Sequence, residues 1–333
     1  MRKKLLRPLI LTAVVSVTFY AASIVASDAG AVLDAVTRVG LLGILVMLGL
    51  TCANLGVRFL RWQFYLGQLG HSIPVGKSLC FYLGGFAFTI TPGKVGEATR
   101  SIYLKLYGVP YVGSVAMLFV ERFVDVIAMV LLVLLVGLEF EDTFTMTIVL
   151  AVALLAIIPI IHSGRLHAFL NHLTNGIDNQ KSQSLLVRSL RLMPAASILL
   201  RNRPLYGGIA AGLLAWCLEG YAFYLILGFL GLDVQPLVAI GIYATSSLAG
   251  ALSLIPGGLG SAEVVMGSLL LLVGSDMPTA ISATLIFRVM TLWVAVAVGI
   301  VMTLIAERIT SKPGEQALHD FQKDLNQSQS RSS

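Results

Sequence analysis

Long apolar stretches separated by short polar segments dominate this chain. Apolar stretches of 18 or more residues occupy positions 9–26, 40–66, 111–138, 144–161, 206–230 and 279–305. An α-helix of roughly 20 apolar residues crosses the hydrocarbon core of a bilayer. The pattern therefore predicts six full transmembrane helices, joined by connections that include polar loops at 28–38 and 139–142 and a long basic segment at 163–204.

Two further apolar stretches are interrupted by a Pro-Gly-x-x-Gly pattern. The first, 78–91, has 14 residues, too few for a full crossing, and the second occupies 236–255 and resumes at 262–273. Broken helices inside a bilayer are tolerated where they surround a polar site. Each pattern thus predicts a re-entrant hairpin. The predicted turn residues are Pro92, Gly93, Gly96, Pro256, Gly257, Gly258 and Gly260.

The interrupted stretches lie at equivalent positions in two similar parts of the chain, about 40–138 and 206–306. The shared landmarks, in order, are 64–66, Pro74, Pro110 and Arg122 in the first part and 223–225, Pro236, Pro278 and Arg288 in the second. The first hairpin is entered from inside and the second from outside, so the predicted fold is an all-α inverted repeat with eight membrane segments. Inverted repeats with broken helices are typical of transporters, although shared apolar composition also makes membrane helices resemble one another.

Composition indicates a polytopic membrane protein. Hydrophobic residues make up 57% of the chain and charged residues 12%, whereas about 25% of a soluble domain is charged. The net charge of +6 comes largely from segments between spans, so the positive-inside rule explains it better than nucleic-acid binding. Basic segments at 1–7 and 163–204 then face the cytoplasm, as do both termini, and the predicted location is the cell membrane. Arg58 and Arg61, beside Trp62, are interpreted as interfacial cations.

Charged side chains inside the spans are the first candidates for a site, because each costs at least ~2.5–3.5 kcal/mol to insert at the centre of a membrane helix. Glu121, Arg122 and Asp125 lie within the apolar stretch that starts near residue 111. Asp125 shares a helix face with Glu121 and lies one turn from Arg122. The three residues either contribute to a substrate site or neutralise one another and hold helices together.

Arg288 is a second candidate, because no acid lies within one turn of it on its own helix. Its partner must come from another segment. Glu263 and Glu219 are candidate acids, and a lipid phosphate is a third candidate, because arginine binds phosphate through two parallel hydrogen bonds.

The first Pro-Gly pattern carries three charged residues of its own. Lys94 lies at the turn where a half-helix starts, a place where free backbone N–H groups and the helix dipole favour an anion. Arg100 adds to that charge, and Glu97 is expected either to pair with Arg100 or to bind a cationic head group. The pattern predicts an anion site open to the cytoplasmic leaflet, with snorkelling of Lys94 and Arg100 to the interface as the alternative.

These motifs together resemble the lysylphosphatidylglycerol synthase transmembrane-region family of flippase-like proteins. The resemblance covers roughly residues 8–308 and is carried by Pro92-Gly93-Lys94-Val95-Gly96-Glu97 with Arg100, Gly108-Val109-Pro110, Val120-Glu121-Arg122-Phe123-Val124-Asp125, Ile255-Pro256-Gly257-Gly258-Leu259-Gly260, Glu263 and Phe287-Arg288. In bacterial multiple peptide resistance factors the corresponding region is the flippase half, which moves aminoacylated phosphatidylglycerol to the outer leaflet. The resemblance therefore implies a similar lipid-moving activity for this chain. The chain ends at Ser333, which leaves no room for their soluble synthase domain, so lysyltransferase activity is not expected.

The favoured function is movement of a polar-headed lipid between leaflets by a single transmembrane domain, 1–309, followed by a polar cytoplasmic tail, 310–333. A linking span and basic loop, 144–205, join the two repeats. The predicted substrate-binding residues are Lys94, Glu97, Arg100, Glu121, Arg122, Asp125, Glu263 and Arg288.

Other assignments remain open at this stage. The cargo is a phospholipid such as aminoacyl-phosphatidylglycerol, or a glycolipid or isoprenoid lipid. A lysyltransferase-type lipid-modifying enzyme and a membrane scaffold for a separate lipid synthase or glycosyltransferase are the alternatives. A homo-oligomer is compatible with the sequence. No metal, cofactor or catalytic residue is predicted, because the three cysteines are isolated and the five histidines lack metal-site spacing.

Overall fold

The computed structural model describes residues 29–137, 148–149, 152 and 192–310. These residues are mostly helical and contain no strand, so the predicted all-α class is confirmed for the described part of the chain. The predicted span at 9–26, most of the span at 144–161 and the tail beyond residue 310 lie outside it.

Helices of very different length make up the described ranges. The α-helices are α1 (Ala29–Gln68), α2 (Val75–Gly84), α3 (Arg100–Lys105), α4 (Tyr111–Gly137), α5 (192–199), α6 (Asn202–Phe229), α7 (Pro236–Leu252), α8 (Ser261–Leu272), α9 (Met277–Arg288) and α10 (294–310). Three 3-10 helices, Gly85–Phe88, Pro92–Thr99 and Pro256–Gly258, and a π-helical turn, Val289–Trp293, lie between them. The π turn joins α9 and α10 into one continuous helix, Met277–Thr310.

Four long helices match predicted spans. α1, α6 and the continuous helix through α9 and α10 are long and apolar enough to cross a membrane. α4 has 27 residues, and a rise of 1.5 Å per residue makes it about 40 Å long. These helices correspond to the apolar stretches at 40–66, 206–230, 279–305 and 111–138. The chain is therefore a helical membrane protein.

The polar segment at 28–38 was predicted as a loop, and that prediction is wrong for the described residues, which are helical from Ala29. α1 continues through this segment and kinks at Gly40, where φ is 62° and ψ is −179°. Glycine adopts this left-handed φ without a steric penalty. Asp34 and Arg38, one turn apart, form an exposed ion pair of 2.7 Å that supports the helix.

Both Pro-Gly patterns interrupt helices, as the sequence predicts. The 3-10 helix that starts at Pro92 separates α2 from α3, and the one that starts at Pro256 separates α7 from α8. In the second pattern Gly257, Gly258 and Gly260 have φ values of 67°, 66° and 85°. Only glycine adopts these values readily, so the sequence of the second turn follows from its backbone.

The two interrupted segments fold back on themselves and meet. Phe81 of α2 stacks on Tyr103 of α3, with ring centroids 5.3 Å apart, and α7 packs against α8. The 3-10 helices that start at Pro92 and Pro256 contact each other. Ile90 fits against the second turn so closely that a Cβ at Gly257 would lie 3.4 Å from Ile90 Cγ2.

Two buried clusters surround this meeting point. One is built mainly on α6, α7 and α9 and includes Phe223, Tyr243 and Phe287. The other is built mainly on α1, α2 and α4 and includes Trp62 and Tyr82. α1 packs along α6, and α4 packs against α6 and α7. Long helices thus enclose the two interrupted segments and any site that lies between them.

Candidate functional site

A cavity of about 320 Å³ lies where the two interrupted segments meet. This volume falls within the range of small-molecule pockets, ~300–1,000 Å³. Residues of α1, α4, α6, α7, α9 and α10 form its walls together with both interrupted segments. The charged residues that line it are Arg58, Arg122, Asp125, Glu219 and Arg288. A polar cavity of this kind can hold a ligand with a charged or hydrogen-bonding group.

Behind the cavity wall, Arg100 of α3 and Glu121 of α4 form a buried ion pair. The side chains are 2% and 0% exposed. The guanidinium carbon of Arg100 also lies 4.1 Å from the ring centroid of Trp62, a distance at which cation–π attraction is favourable. This pair fastens the end of the first interrupted segment to α4. Neither residue lines the cavity.

Glu97 faces Arg122 and Thr89. The Thr89 hydroxyl donates a hydrogen bond of 2.6 Å to Glu97 Oε1, and Glu97 Oε2 lies 3.7 Å from Arg122 Nη2. The sequence suggests that Glu97 pairs with Arg100. In the structure Arg100 pairs with Glu121 of α4 instead. Glu97 therefore ties the first turn to Arg122 at the cavity edge.

Asp125 links three long helices. Its carboxylate accepts a hydrogen bond of 3.2 Å from Trp216 Nε1 of α6 and forms ion pairs with Arg61 of α1 at 2.8 Å and with Arg122 at 3.2 Å. The predicted proximity of Arg122 and Asp125 is confirmed. Two cations and an N–H donor compensate the buried charge, so Asp125 keeps these helices in register.

Arg58 and Arg61 are buried, with relative exposures of 5% and 2%, so their interpretation as interfacial cations is wrong. Arg61 pairs with Asp125, whereas Arg58 lines the cavity. The guanidinium carbon of Arg58 lies 4.8 Å from the ring centroid of Trp216 and 5.0 Å from that of Phe86. The sequence contains a signal for the burial of these two arginines, because apolar residues continue for a further turn beyond Trp62.

The second interrupted segment has its own ion pair. Arg288 Nε donates to Glu263 Oε1 at 2.8 Å, and Arg288 Nη2 donates to the carbonyl of Gly257 at 2.7 Å. Glu263 Oε2 accepts from the backbone N–H of Gly260 at 2.8 Å, at the start of α8. Glu263, one of the candidate acids, is thus a partner of Arg288. The fork of Arg288 holds both the turn and the helix that follows it.

The predicted substrate-binding residues therefore occupy different places. Arg122, Asp125 and Arg288 line the cavity. Glu97 and Glu263 pair with the cavity-lining Arg122 and Arg288. Arg100 and Glu121 pair with each other behind the cavity wall. The side chain of Lys94 lies outside the described part of the chain, so its role stays a prediction.

The sequence did not identify the aromatic and polar parts of the cavity wall. Tyr243 and Ser247 of α7 line it together with Glu219 of α6, and Tyr243 lies against Glu219. From the sequence, Glu219 is predicted only as a candidate partner for Arg288. Its position inside an apolar stretch was a signal for function, whereas nothing in the sequence distinguished Tyr243 from other membrane tyrosines.

Comparison with known proteins identifies similar chains. The family described as lysylphosphatidylglycerol synthase TM region matches residues 8–299. A UPF0104 membrane protein from Methanocaldococcus jannaschii is 27% identical over 227 residues, which cover 67% of this chain and 95% of that protein. A UPF0104 membrane protein from Pyrococcus horikoshii is 23% identical over 288 residues, which cover 78% of this chain and 86% of that protein.

Proposed function

The chain belongs to the lysylphosphatidylglycerol synthase transmembrane-region family, and we propose that it moves a polar-headed lipid between the two leaflets of the cell membrane. The observation that carries this proposal is the cavity at the meeting point of the two interrupted segments. It brings charged side chains of several membrane helices together in one space. Such an arrangement suits a ligand that is polar at one end and apolar at the other.

The physical obstacle to lipid movement is the desolvation of the head group. A polar group that enters hydrocarbon without hydrogen-bond partners costs several kcal/mol, and an ion costs far more. Arg122, Asp125 and Arg288 offer replacement partners along the cavity wall. The acyl chains remain in the bilayer while the head group passes through the protein.

The two interrupted segments are the proposed gates. In transporters built from inverted repeats, half-helices surround a site near the middle of the membrane, and access alternates between the two sides. In this proposal the two parts of the chain, about 40–138 and 206–306, form such a repeat with both termini in the cytoplasm. Contact between the first and second turns supports the proposal, because movement of one turn then affects the other.

Reconstituted vesicles provide the test. We expect the purified full-length protein to speed movement of fluorescent phosphatidylglycerol from the inner to the outer leaflet, measured by dithionite quenching. Replacement of Arg288 with Gln removes two hydrogen bonds at the second gate and is expected to slow movement about tenfold or more. Arg38→Gln, at an exposed position of α1, is the matched control. Movement no faster than in protein-free vesicles, across a panel of phospholipids, glycolipids and isoprenoid lipids, contradicts the proposal.

The same preparation separates the alternatives. A lipid-modifying enzyme yields a new lipid species that mass spectrometry of the vesicle lipids detects. A scaffold for a lipid synthase or glycosyltransferase yields neither movement nor a new lipid, and co-purifies with its partner enzyme.

A further inference from the structure

We propose that Arg58 binds a phosphate group in the cavity, so that the transported lipid carries a phosphate. This inference deepens the proposed function and rests on it for the identity of the ligand as a lipid. It starts from one observation. Arg58 is 95% buried, since its relative exposure is 5%, and it lines the cavity, yet its Nε has no hydrogen-bond partner among the described residues, and it is Arg61 rather than Arg58 that pairs with Asp125.

The acid next to Arg58 is already compensated. Asp125 forms ion pairs with Arg61 at 2.8 Å and with Arg122 at 3.2 Å and accepts a hydrogen bond from Trp216 at 3.2 Å. Glu219, the other acid on the cavity wall, lies against Tyr243, so among the described residues no acid forms an ion pair with Arg58. A buried charge that lacks a partner costs several kcal/mol, so an anionic ligand at this position is strongly favoured.

Aromatic rings hold the guanidinium in place. Its central carbon lies 4.8 Å from the ring centroid of Trp216 and 5.0 Å from that of Phe86. Ring contacts occupy a guanidinium face and Nε is enclosed, whereas the four N–H donors of the two terminal nitrogens point outward in the guanidinium plane. One turn earlier on α1, Asn54 Nδ2 donates a hydrogen bond of 2.7 Å to the carbonyl of Ala215, which fixes α1 against α6 beside Trp216. These contacts position the guanidinium on the cavity wall.

A phosphate matches this donor set. The planar fork of arginine binds phosphate through two parallel charge-assisted hydrogen bonds. A neutral glycolipid offers hydroxyl groups but no negative charge, and it leaves Arg58 uncompensated. Two sources of phosphate share this chemistry, a lipid head group and inorganic phosphate, and the experiment separates them.

Binding rather than transport is the measurement. The full-length protein in a neutral detergent is titrated with dioleoyl-phosphatidylglycerol, a neutral galactolipid, dioleoylglycerol and inorganic phosphate, and native mass spectrometry counts the bound ligand. We expect the wild type to retain phosphatidylglycerol and to discriminate against both neutral lipids. Arg58→Gln is expected to weaken phosphatidylglycerol binding about tenfold or more. Arg58→Lys keeps the charge but not the planar fork, so an intermediate loss is expected, and this variant serves if Arg58→Gln fails to fold.

The control is Arg38→Gln on the same helix, at a side chain that is 60% exposed, and its binding is expected to equal that of the wild type. Saturable binding of inorganic phosphate that depends on Arg58 assigns the site to a soluble phosphate, and binding of the lipid alone assigns it to a head group. Equal binding of phosphatidylglycerol by wild type and both Arg58 variants, or equal binding of galactolipid and phosphatidylglycerol by the wild type, overturns the inference. Arg58-dependent binding without movement in vesicles contradicts the proposed function alone, whereas normal movement in Arg58→Gln contradicts the inference alone.

Discussion

The two interrupted segments have the same Pro-Gly-x-x-Gly pattern but are held in different ways. The first is surrounded by buried charges from three elements, with the Arg100–Glu121 pair behind it and Arg122 between Glu97 and Asp125. The second is held by Arg288, which reaches Glu263 and the carbonyl of Gly257, and by hydrogen bonds from Ser261 to Ser253 and to the carbonyl of Gly258. Each segment is thus fastened to a long helix, the first to α4 by a fully buried pair and the second to the continuous helix Met277–Thr310 by a partly exposed one.

This difference in burial predicts that the first segment contributes more to stability and that the second segment moves more readily. Breaking a buried ion pair by removing one partner costs roughly 3–5 kcal/mol, because the other charge stays buried. The first segment has one such pair, in which Arg100 and Glu121 are 2% and 0% exposed. Arg288 and Glu263 are 13% and 9% exposed, so water in the cavity can hydrate a charge left behind. We therefore expect the first segment to be the more firmly held of the two proposed gates and the second to move more readily.

The largest expected effect comes from Glu121→Gln. This change leaves Arg100 buried without its acid, and we expect a loss of about 3–5 kcal/mol in the free energy of unfolding. The measurement is thermal denaturation of the purified protein in detergent, followed by size-exclusion chromatography. The double variant Glu121→Gln/Arg100→Met removes both charges and is expected to recover a large part of the loss. The control Asp34→Asn, in an exposed ion pair, is expected to change stability by less than about 1 kcal/mol. Wild-type stability of Glu121→Gln would contradict the assignment of the first segment as the more firmly held one.

Arg288→Gln is expected to have an intermediate effect on stability. It removes two hydrogen bonds of a charged group, worth about 1.5–3 kcal/mol. The same thermal measurement applies, and the comparison with Glu121→Gln is the informative quantity. Arg288→Lys keeps the charge but contacts only one of the two acceptors, so it is expected to fall between Gln and wild type. If Arg288→Gln destabilises the protein more than Glu121→Gln does, the second segment is the more firmly held one and the comparison is reversed.

The sequence predicts much of the fold, because its signals are local. Apolar length locates the long helices, and proline with glycine locates both interruptions. The contacts of Arg122 with Asp125 and of Arg288 with Glu263 follow from the high cost of an unpaired charge in a membrane. Partners on other helices are harder to predict, because the sequence does not show which helix faces which. The burial of Arg58 depends on the rings of Phe86 and Trp216, which lie 28 and 158 residues away by subtraction of their numbers.

The partner of Glu97 and the residues of the cavity wall could not be predicted from the sequence for the same reason. The helical spacing of Glu97 and Arg100 favours a local pair, but Arg100 instead meets Glu121, 21 residues away. A long-range contact with a buried acid overrides the local preference. A cavity is a property of the packed structure, and no sequence motif encodes the position of Tyr243 or Ser247 on its wall.

The smallest expected effect comes from Gly258→Ala, and it tests whether the second turn depends on its glycine backbone. Gly258 has a φ of 66°, and an added Cβ would lie 3.0 Å from the Cα of Gly250 on α7. The left-handed conformation costs a non-glycine residue about 1–2 kcal/mol, and we expect a loss of about that size in the free energy of unfolding, with a larger proportional loss of lipid movement.

The matched control is Gly267→Ala on α8, where an added Cβ meets no atom within 4 Å. Alanine is a better helix former than glycine by about 1 kcal/mol, so Gly267→Ala is expected to keep or raise stability and to leave lipid movement unchanged. Thermal denaturation and the vesicle assay are run on both variants. A second turn that moves must keep its backbone free to change, so a Gly258→Ala variant with full lipid movement would show that this turn stays fixed while lipids pass.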